Sequence, residues 1–242
     1  MSDLVSALAA ALAPAGLDLI GATGVASYDA AVPPRWRLGP RSPETSGLVV
    51  IGNGGATFWS CFARARRVDP RLAAAPEPLD TFTRAVVAEA VAPVLARHDL
   101  PCRVVYPFDV GPLLLSFTHA AEAAGLGRPG LLGVLLHPVY GPWMALRAAL
   151  LLPVVPEAPR PADGFDPCST CAARPCIAAC PNGAVDARGW DVDGCMATRG
   201  PDDACAAACH ARLACVVGPE HRYPPDALAH HQGAARRVVR PG

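Results

Sequence analysis

Apolar residues in this chain come in short runs of two textures, one helical and one β-branched, and glycine or proline closes most of them. Ser2 to Leu12 has the composition of a helix and is stopped by Pro14 and Gly16. Leu48-Val49-Val50-Ile51 is a short β-branched run that ends at the glycines of GNGG, Gly52 to Gly55, after which ATFWSCFARARR returns to a helical pattern. Asp80 stands where an N-cap belongs for a helix running towards His98, with acid at Glu89 and basic residues near its end. Val104-Val105-Tyr106 predicts a strand, PFDVGP a loop, Phe117 to Ala124 a helix, and Gly133 to Leu136 leads into His137. The alternation predicts a layered α/β or α+β structure.

At 242 residues the chain is long enough to bury a core, as one large domain or as one domain with an appendage. Its ten cysteines are therefore not needed as staples. All 21 basic residues are arginine, which removes Schiff-base and P-loop chemistry because both need a lysine amine. The 21 acidic residues balance them, and a net charge of zero predicts no dedicated nucleic-acid surface. No serine sits in a nucleophile-elbow pattern. Met1-Ser2-Asp3 opens on an acid, and the apolar stretch from Gly130 to Val155 is interrupted by His137, Pro138, Pro142, Arg147 and Pro153, so neither a secretory leader nor a membrane span is expected. A cytoplasmic location follows as the expectation, and there clustered cysteines hold metal or do redox chemistry more often than they form disulfides.

The cysteines divide the chain unevenly. Residues 1–157 carry Cys61 and Cys102, and residues 158–242 carry the other eight, with the proline-rich and acidic VVPEAPRPADGFDP at the join reading as a linker. The spacing is Cys168-x2-Cys171-x4-Cys176-x3-Cys180-Pro181, then Cys195, then Cys205-x3-Cys209-x5-Cys215. Three close cysteines followed by a Cys-Pro are the mark of an iron–sulfur loop, in which the fourth thiolate ligates a second cluster. Eight thiolates suffice for two 4Fe–4S clusters. In the crossed arrangement one takes Cys168, Cys171, Cys176 and Cys215, and the other Cys180, Cys195, Cys205 and Cys209. The second gap is longer than in the bacterial run, and Val216 follows Cys215 where proline is expected. A single cluster, or structural zinc on cysteine pairs with His210, remains an alternative.

Other residues carry weaker signals. The glycines of GNGGATFW could aim backbone amides at an anion, although a tight turn without a ligand accounts for them as well. Cys61 and Cys102 read as small apolar side chains. His230 and His231 could approach a metal or stand in solvent.

HPVYGPWMALRAALLLP, His137 to Pro153, sets two aromatic rings near an arginine. From the residues alone it is either a ligand loop or a turn in which His137 caps a strand end and Arg147 meets a core carboxylate. The stretch resembles the His-Pro-aromatic-Gly-x-Trp-x-x-x-Arg segment of the cobalamin-processing CblC/MMACHC proteins, and its coupling to a cysteine module resembles the epoxyqueuosine reductases. GLDLIGATGVASYD and PLDTFTRAVV are similar to the same family more loosely, and the end of the chain, through CHARLACVVGPEHRY, resembles ferredoxin-type 4Fe–4S proteins.

That resemblance implies an α+β protein: a nitroreductase-like domain over residues 1–157 that holds a corrinoid, with flavin as second choice, and a ferredoxin-type domain over 158–242 with two 4Fe–4S clusters. It implies that His137, Tyr140, Gly141, Trp143 and Arg147 lie near the cofactor, with Arg147 as an anion clamp and Tyr140 and Trp143 as apolar walls. It leaves the catalytic acid unassigned, Asp80 and Asp109 being candidates by type only, and nothing in the sequence corresponds to a tRNA-binding helical-repeat region. The expected function is an iron–sulfur oxidoreductase or cobalamin-processing protein served by an external electron donor. The alternatives are an electron carrier without a substrate of its own and a zinc-stabilised binding module.

Overall fold

The computed structural model describes residues 3–111, 113–157, 164–198 and 205–239. Up to Leu126 the elements are α1 (Leu4–Leu12), β1 (Leu19–Gly24), α2 (Val25–Ala31), β2 (Gly47–Gly54), α3 (Thr57–Val68), α4 (Pro70–Ala74), α5 (Pro78–Arg97), β3 (Arg103–Val105) and α6 (Phe117–Ala123). There follow β4 (Arg128–Pro129), β5 (Leu135–Leu136) and β6 (Met144–Leu152). The cysteine-rich end contains α7 (Pro167–Thr170), α8 (Pro175–Ala179), β7 (Val185–Asp186), β8 (Gly189–Trp190), α9 (Val192–Thr198), α10 (His210–Leu213) and α11 (Pro225–Val239). The mixed α+β class expected from the sequence is the class observed.

Two compact units result, residues 1–126 with 145–163, and residues 127–144 with 164–242. Gly127 to Met144, placed by the sequence in the first domain, thus groups with the cysteine-rich end. Part of the expected linker, residues 158–163, lies outside the described residues.

The first unit is built on a four-stranded sheet in the order β1-β2-β6-β3, with β1 antiparallel to β2 and β3 antiparallel to β6. Every residue of β2 is buried, which is why Leu48 to Ile51 reads as an unbroken apolar run and not as an alternation. β6 is likewise buried over most of its length, and its ALRAALLL stretch is a strand although alanine and leucine favour helices. Burial between layers overrides propensity there.

Phe58 and Phe62 of α3 pack against Phe82 of α5, with ring centroids 5.5 and 5.7 Å apart, and α1 lies against α5. Asp80 is not the N-cap of α5: Pro78 fixes the backbone of the first turn, Glu77 occupies the cap position, and Asp80 sits within that turn, still on the side of the helix dipole that favours an acid.

Among the described residues the second unit has two-stranded ribbons, β4–β5 and β7–β8, the 15-residue α11, and short helices, of which α8 packs on α10. Proline begins α7 and α8 directly before Cys168 and Cys176, so the fixed proline φ starts each turn that presents a thiol. Among the described residues no helix is long and apolar enough to cross a membrane.

At Gly16 the chain turns out of α1 with φ +78°, and a Cβ there would stand 2.5 Å from the backbone nitrogen of Phe58. Gly16→Ala should therefore destabilise the fold by about 1–3 kcal/mol, read as a lower urea midpoint with an unchanged slope. An unchanged midpoint would show that this close approach does not constrain the turn.

Candidate functional site

The eight clustered cysteines fall into two groups in the second unit. Cys168, Cys171, Cys176 and Cys215 line one narrow cavity with Leu131, Leu136 and Val217. Cys180, Cys195, Cys205 and Cys209 line another, of about 190 Å³, with Trp190, Arg212, His231 and Gln232. These are the two sets of the crossed arrangement. Among the described residues no three Cys, His, Asp or Glu side chains close around one point as a single ion would require.

The donor chemistry fits a cubane. Thiolates are the soft ligands of iron–sulfur clusters, four to a cluster. Burial first, and then the neighbouring Cys215, Cys168 and Cys171, push the Cys176 thiol above its ordinary range, while the Ile177 amide pulls the other way. Cys215 is raised by burial and by Cys168 and Cys171, against backbone N–H groups of Val217 and Val216 that favour its thiolate. Four thiols at one cavity, with backbone amides aimed at two of the sulfurs, are suited to a polynuclear cation that would neutralise their thiolates. The second group is tied to α11, where the buried Gln232 donates its Nε2 hydrogen to the Cys205 carbonyl at 2.8 Å.

The HPVYGPW segment forms a closed turn in the same unit. His137 and Gly141 exchange backbone hydrogen bonds of 2.9 and 2.8 Å, and the His137 Nδ1 accepts from the Val139 and Tyr140 amides at 3.1 and 3.3 Å. The half-buried Tyr140 ring lies between His137 at 5.2 Å and His221 at 4.7 Å. Gly141 has φ +54°, and a Cβ on it would overlap the Val217 carbonyl. Gly218 has φ +60°, and its Cβ would meet the Tyr140 carbonyl carbon at 2.6 Å. The two glycines let this turn and the one after Cys215 touch backbone to backbone.

Trp143 is fully buried, 5.8 Å from Tyr223, and its indole N–H has no acceptor among the described residues. The Arg212 guanidinium covers both rings, at 4.8 Å from Trp143 and 5.0 Å from Tyr223, and donates two hydrogens to the Pro142 carbonyl.

Arg147 belongs to the first unit. It is buried in the sheet on β6, where its Nε donates to Asn53 Oδ1 at 2.7 Å and its guanidinium lies 4.6 Å from the centre of the Phe58 ring. Asn53 lies in GNGG, whose backbone is tied internally as well, Gly54 N donating to Asp18 Oδ1 at 2.8 Å. Asp80 is half-buried, and its carboxyl is pushed up by burial and by Glu77 while the Arg147 and Arg84 charges pull it down. Asp109 is paired with Arg84 and accepts from the Tyr106 amide at 2.9 Å.

Among the remaining candidates, Cys102 is driven up to about 11 by burial, as an apolar cysteine should be, and Cys61 sits within 3.7 Å of the Pro14 carbonyl. His231 does line the second thiol cavity, while His230 stacks edge-on against it at 5.5 Å. Arg212, His221, Tyr223 and Gln232 were not singled out by the sequence. For Arg212 a signal existed, a lone cation three residues from both Cys209 and Cys215. For the others the contacts are purely tertiary.

No protein-family model matches the chain, and no curated protein matches it. Solved structures do. An epoxyqueuosine reductase with a tRNA-Tyr epoxyqueuosine-modified stem loop is 17% identical, with TM-score 0.59 over 94% of this chain and 68% of that one. The B12-trafficking protein CblC of C. elegans is 14% identical, with TM-score 0.62 over 98% of this chain and 94% of its own. The catabolic reductive dehalogenase NpRdhA, in complex with 3-bromo-4-hydroxybenzoic acid, is 18% identical, with TM-score 0.55 over 96% of this chain but 36% of its own.

The likeness is one of fold. It matches the families that the HPVYGPW and cysteine segments resemble. It also corrects one expectation: a protein of this fold does hold a tRNA stem loop, so the balanced charge of this chain does not argue against a nucleic-acid surface. Net charge is a sum, and it carries no information about where 21 arginines gather.

Two outcomes test this geometry. At pH 8, Cys102 in the folded protein should alkylate roughly 100-fold more slowly than an unperturbed thiol, because only the thiolate reacts, and mass-spectrometric mapping would expose a faster rate. Asn53→Ala, which strips a hydrogen bond from a buried charge, should cost about 2–3 kcal/mol in urea unfolding. A loss under about 0.5 kcal/mol would mean that Arg147 does not depend on Asn53.

Proposed function

We propose that this protein is an iron–sulfur redox protein, a corrinoid-binding reductase or cobalamin-processing protein equipped with two 4Fe–4S clusters. The observation that carries the reading is the sorting of eight thiols into two groups of four, each around its own cavity. Residues 158–242 would then act as a ferredoxin-type module. Cys168, Cys171, Cys176 and Cys215 would hold one cluster and Cys180, Cys195, Cys205 and Cys209 the other. When bound, the clusters would supply single electrons from an external donor to the corrinoid.

The fold likeness supports the corrinoid half, since other proteins of this fold are a B12-trafficking protein and a reductase for B12-dependent dehalogenation. Within HPVYGPW, His137 and Tyr140 keep partly exposed rings and are the residues proposed to meet the cofactor. Gly141 fixes the turn that presents them. Trp143 supports that turn from inside, and Arg147 orders the GNGG loop through Asn53. Asp109 is committed to Arg84, which leaves Asp80 as the acid with a carboxyl biased towards holding a proton. All ten cysteines are free of disulfides, which suits a reducing cytoplasm.

One observation favours a second reading, an electron carrier without a substrate. Trp143 and Arg147, which the sequence resemblance assigns to a cofactor, are both buried against protein partners. Anaerobic purification separates these readings. Iron and acid-labile sulfide should each reach about eight per chain, and hydroxocobalamin added to the reduced protein should change its visible bands. Full iron without a cobalamin response would favour the carrier, and stoichiometric zinc without iron would defeat both.

A further inference from the structure

Resting on the two-cluster reading, we propose that Arg212 sets the reduction potential of the cluster held by Cys180, Cys195, Cys205 and Cys209, keeping it above that of the cluster held by Cys168, Cys171, Cys176 and Cys215. An electron taken up by the first cluster then runs downhill to the second.

Arg212 is equally close in sequence to Cys209 and Cys215, but its side chain lines only the cavity of the second set. Its charge is fixed in place. Two hydrogens go to the Pro142 carbonyl, and two aromatic faces, Trp143 at 4.8 Å and Tyr223 at 5.0 Å, hold the guanidinium plane. Among the described residues no carboxylate pairs with it, and none lines that cavity. Among the described residues its charge is therefore left without a counter-charge.

The first cavity also has an arginine, Arg174, but among the described residues no ring or carbonyl anchors its side chain. Without such an anchor its guanidinium is not fixed at one distance from the thiols, and a partly exposed charge is screened by solvent. The side chains differ in the same sense: Asn182, Gln232 and Arg212 line the second cavity, while at the first, Arg174 apart, the side chains beside the thiols are leucine, valine and proline and the donors at sulfur are backbone amides.

Reduction of a 4Fe–4S core from the 2+ to the 1+ state adds one electron to a site that already carries four thiolates, and the external donor is oxidised by one electron. A fixed cation in a medium of low dielectric stabilises the more negative, reduced state and so raises the potential. Cation–π contacts with Trp143 and Tyr223 hold Arg212 without cancelling its charge, which a carboxylate would do.

The test is a redox titration followed by electron paramagnetic resonance on the anaerobically reconstituted full chain. The wild type should show two midpoints. Arg212→Gln should lower one of them by about a tenfold change in equilibrium constant, ~59 mV for one electron, and leave the other in place. Arg212→Lys, which keeps the charge but loses the fork, should stay near the wild type. Cys195→Ala removes a ligand from the second set, and the cluster that survives should titrate at the lower wild-type midpoint.

A shared wild-type midpoint, unmoved midpoints in Arg212→Gln, an equal drop in Arg212→Lys, or survival of the higher midpoint in Cys195→Ala would each overturn the proposal. Should Arg212→Gln fail to keep its second cluster, Arg212→Met takes its place, with the same fall of the higher midpoint expected and an unmoved midpoint overturning the proposal. Absence of iron from the wild type would instead defeat the two-cluster reading on which this rests.

Discussion

Gathering four thiols in apolar surroundings is a costly thing for a chain to do without a counterion. In the first group burial and the neighbouring thiols push Cys176 and Cys215 up. The second unit gathers four thiols at each of two cavities, and among its described residues the strands form two-stranded ribbons and most helices are a turn or two long. A bound cluster would turn the repulsion into ligation, and folding of this end would then be linked to metal. The proline-started turns before Cys168 and Cys176, the amides aimed at sulfur and the tie from Gln232 to Cys205 are all consistent with a chain shaped around those two centres.

The turn of HPVYGPW belongs to the same construction. Gly141 and Gly218 allow it to touch the chain after Cys215 with no side chain between, and Arg212 reaches from the cysteine loop to the Pro142 carbonyl. The segment is thus joined on one side to the ligands of the first thiol group and on the other to a cation of the second. His137 and Tyr140 thus stand on a stretch of backbone that the cysteine loops hold in place. This gives a physical reason for finding these two motifs in one chain.

Legibility in the sequence varied with how local each interaction is. β2 and α3 were readable because burial and amphipathic spacing act on adjacent residues. The cysteine spacing reads as two sets of four, and the structure lines two cavities with those sets. β1 escaped notice because Gly21 and Gly24 dilute its β pattern, and Gly21 is needed because a Cβ there would meet the Ala124 carbonyl at 2.5 Å. β6 carries no β-branched pattern of its own, since its alanines and leucines follow burial on the sheet. Arg147 is a buried cation, and one of its partners is the amide of Asn53, 94 residues away, which no local pattern announces. Asp80 looked like a cap because the cap rule ignores Pro78, which begins the helix earlier.

The central claim, that both thiol groups carry cubanes, is tested most directly by Mössbauer spectroscopy of the full chain loaded anaerobically with iron-57. The account predicts that essentially all protein-bound iron appears as 4Fe–4S centres, that substitution of Cys176 or of Cys195 each removes about half of it, and that the double substitution removes nearly all. Iron present as isolated thiolate-bound ions, or a single cluster lost equally in both variants, would contradict it.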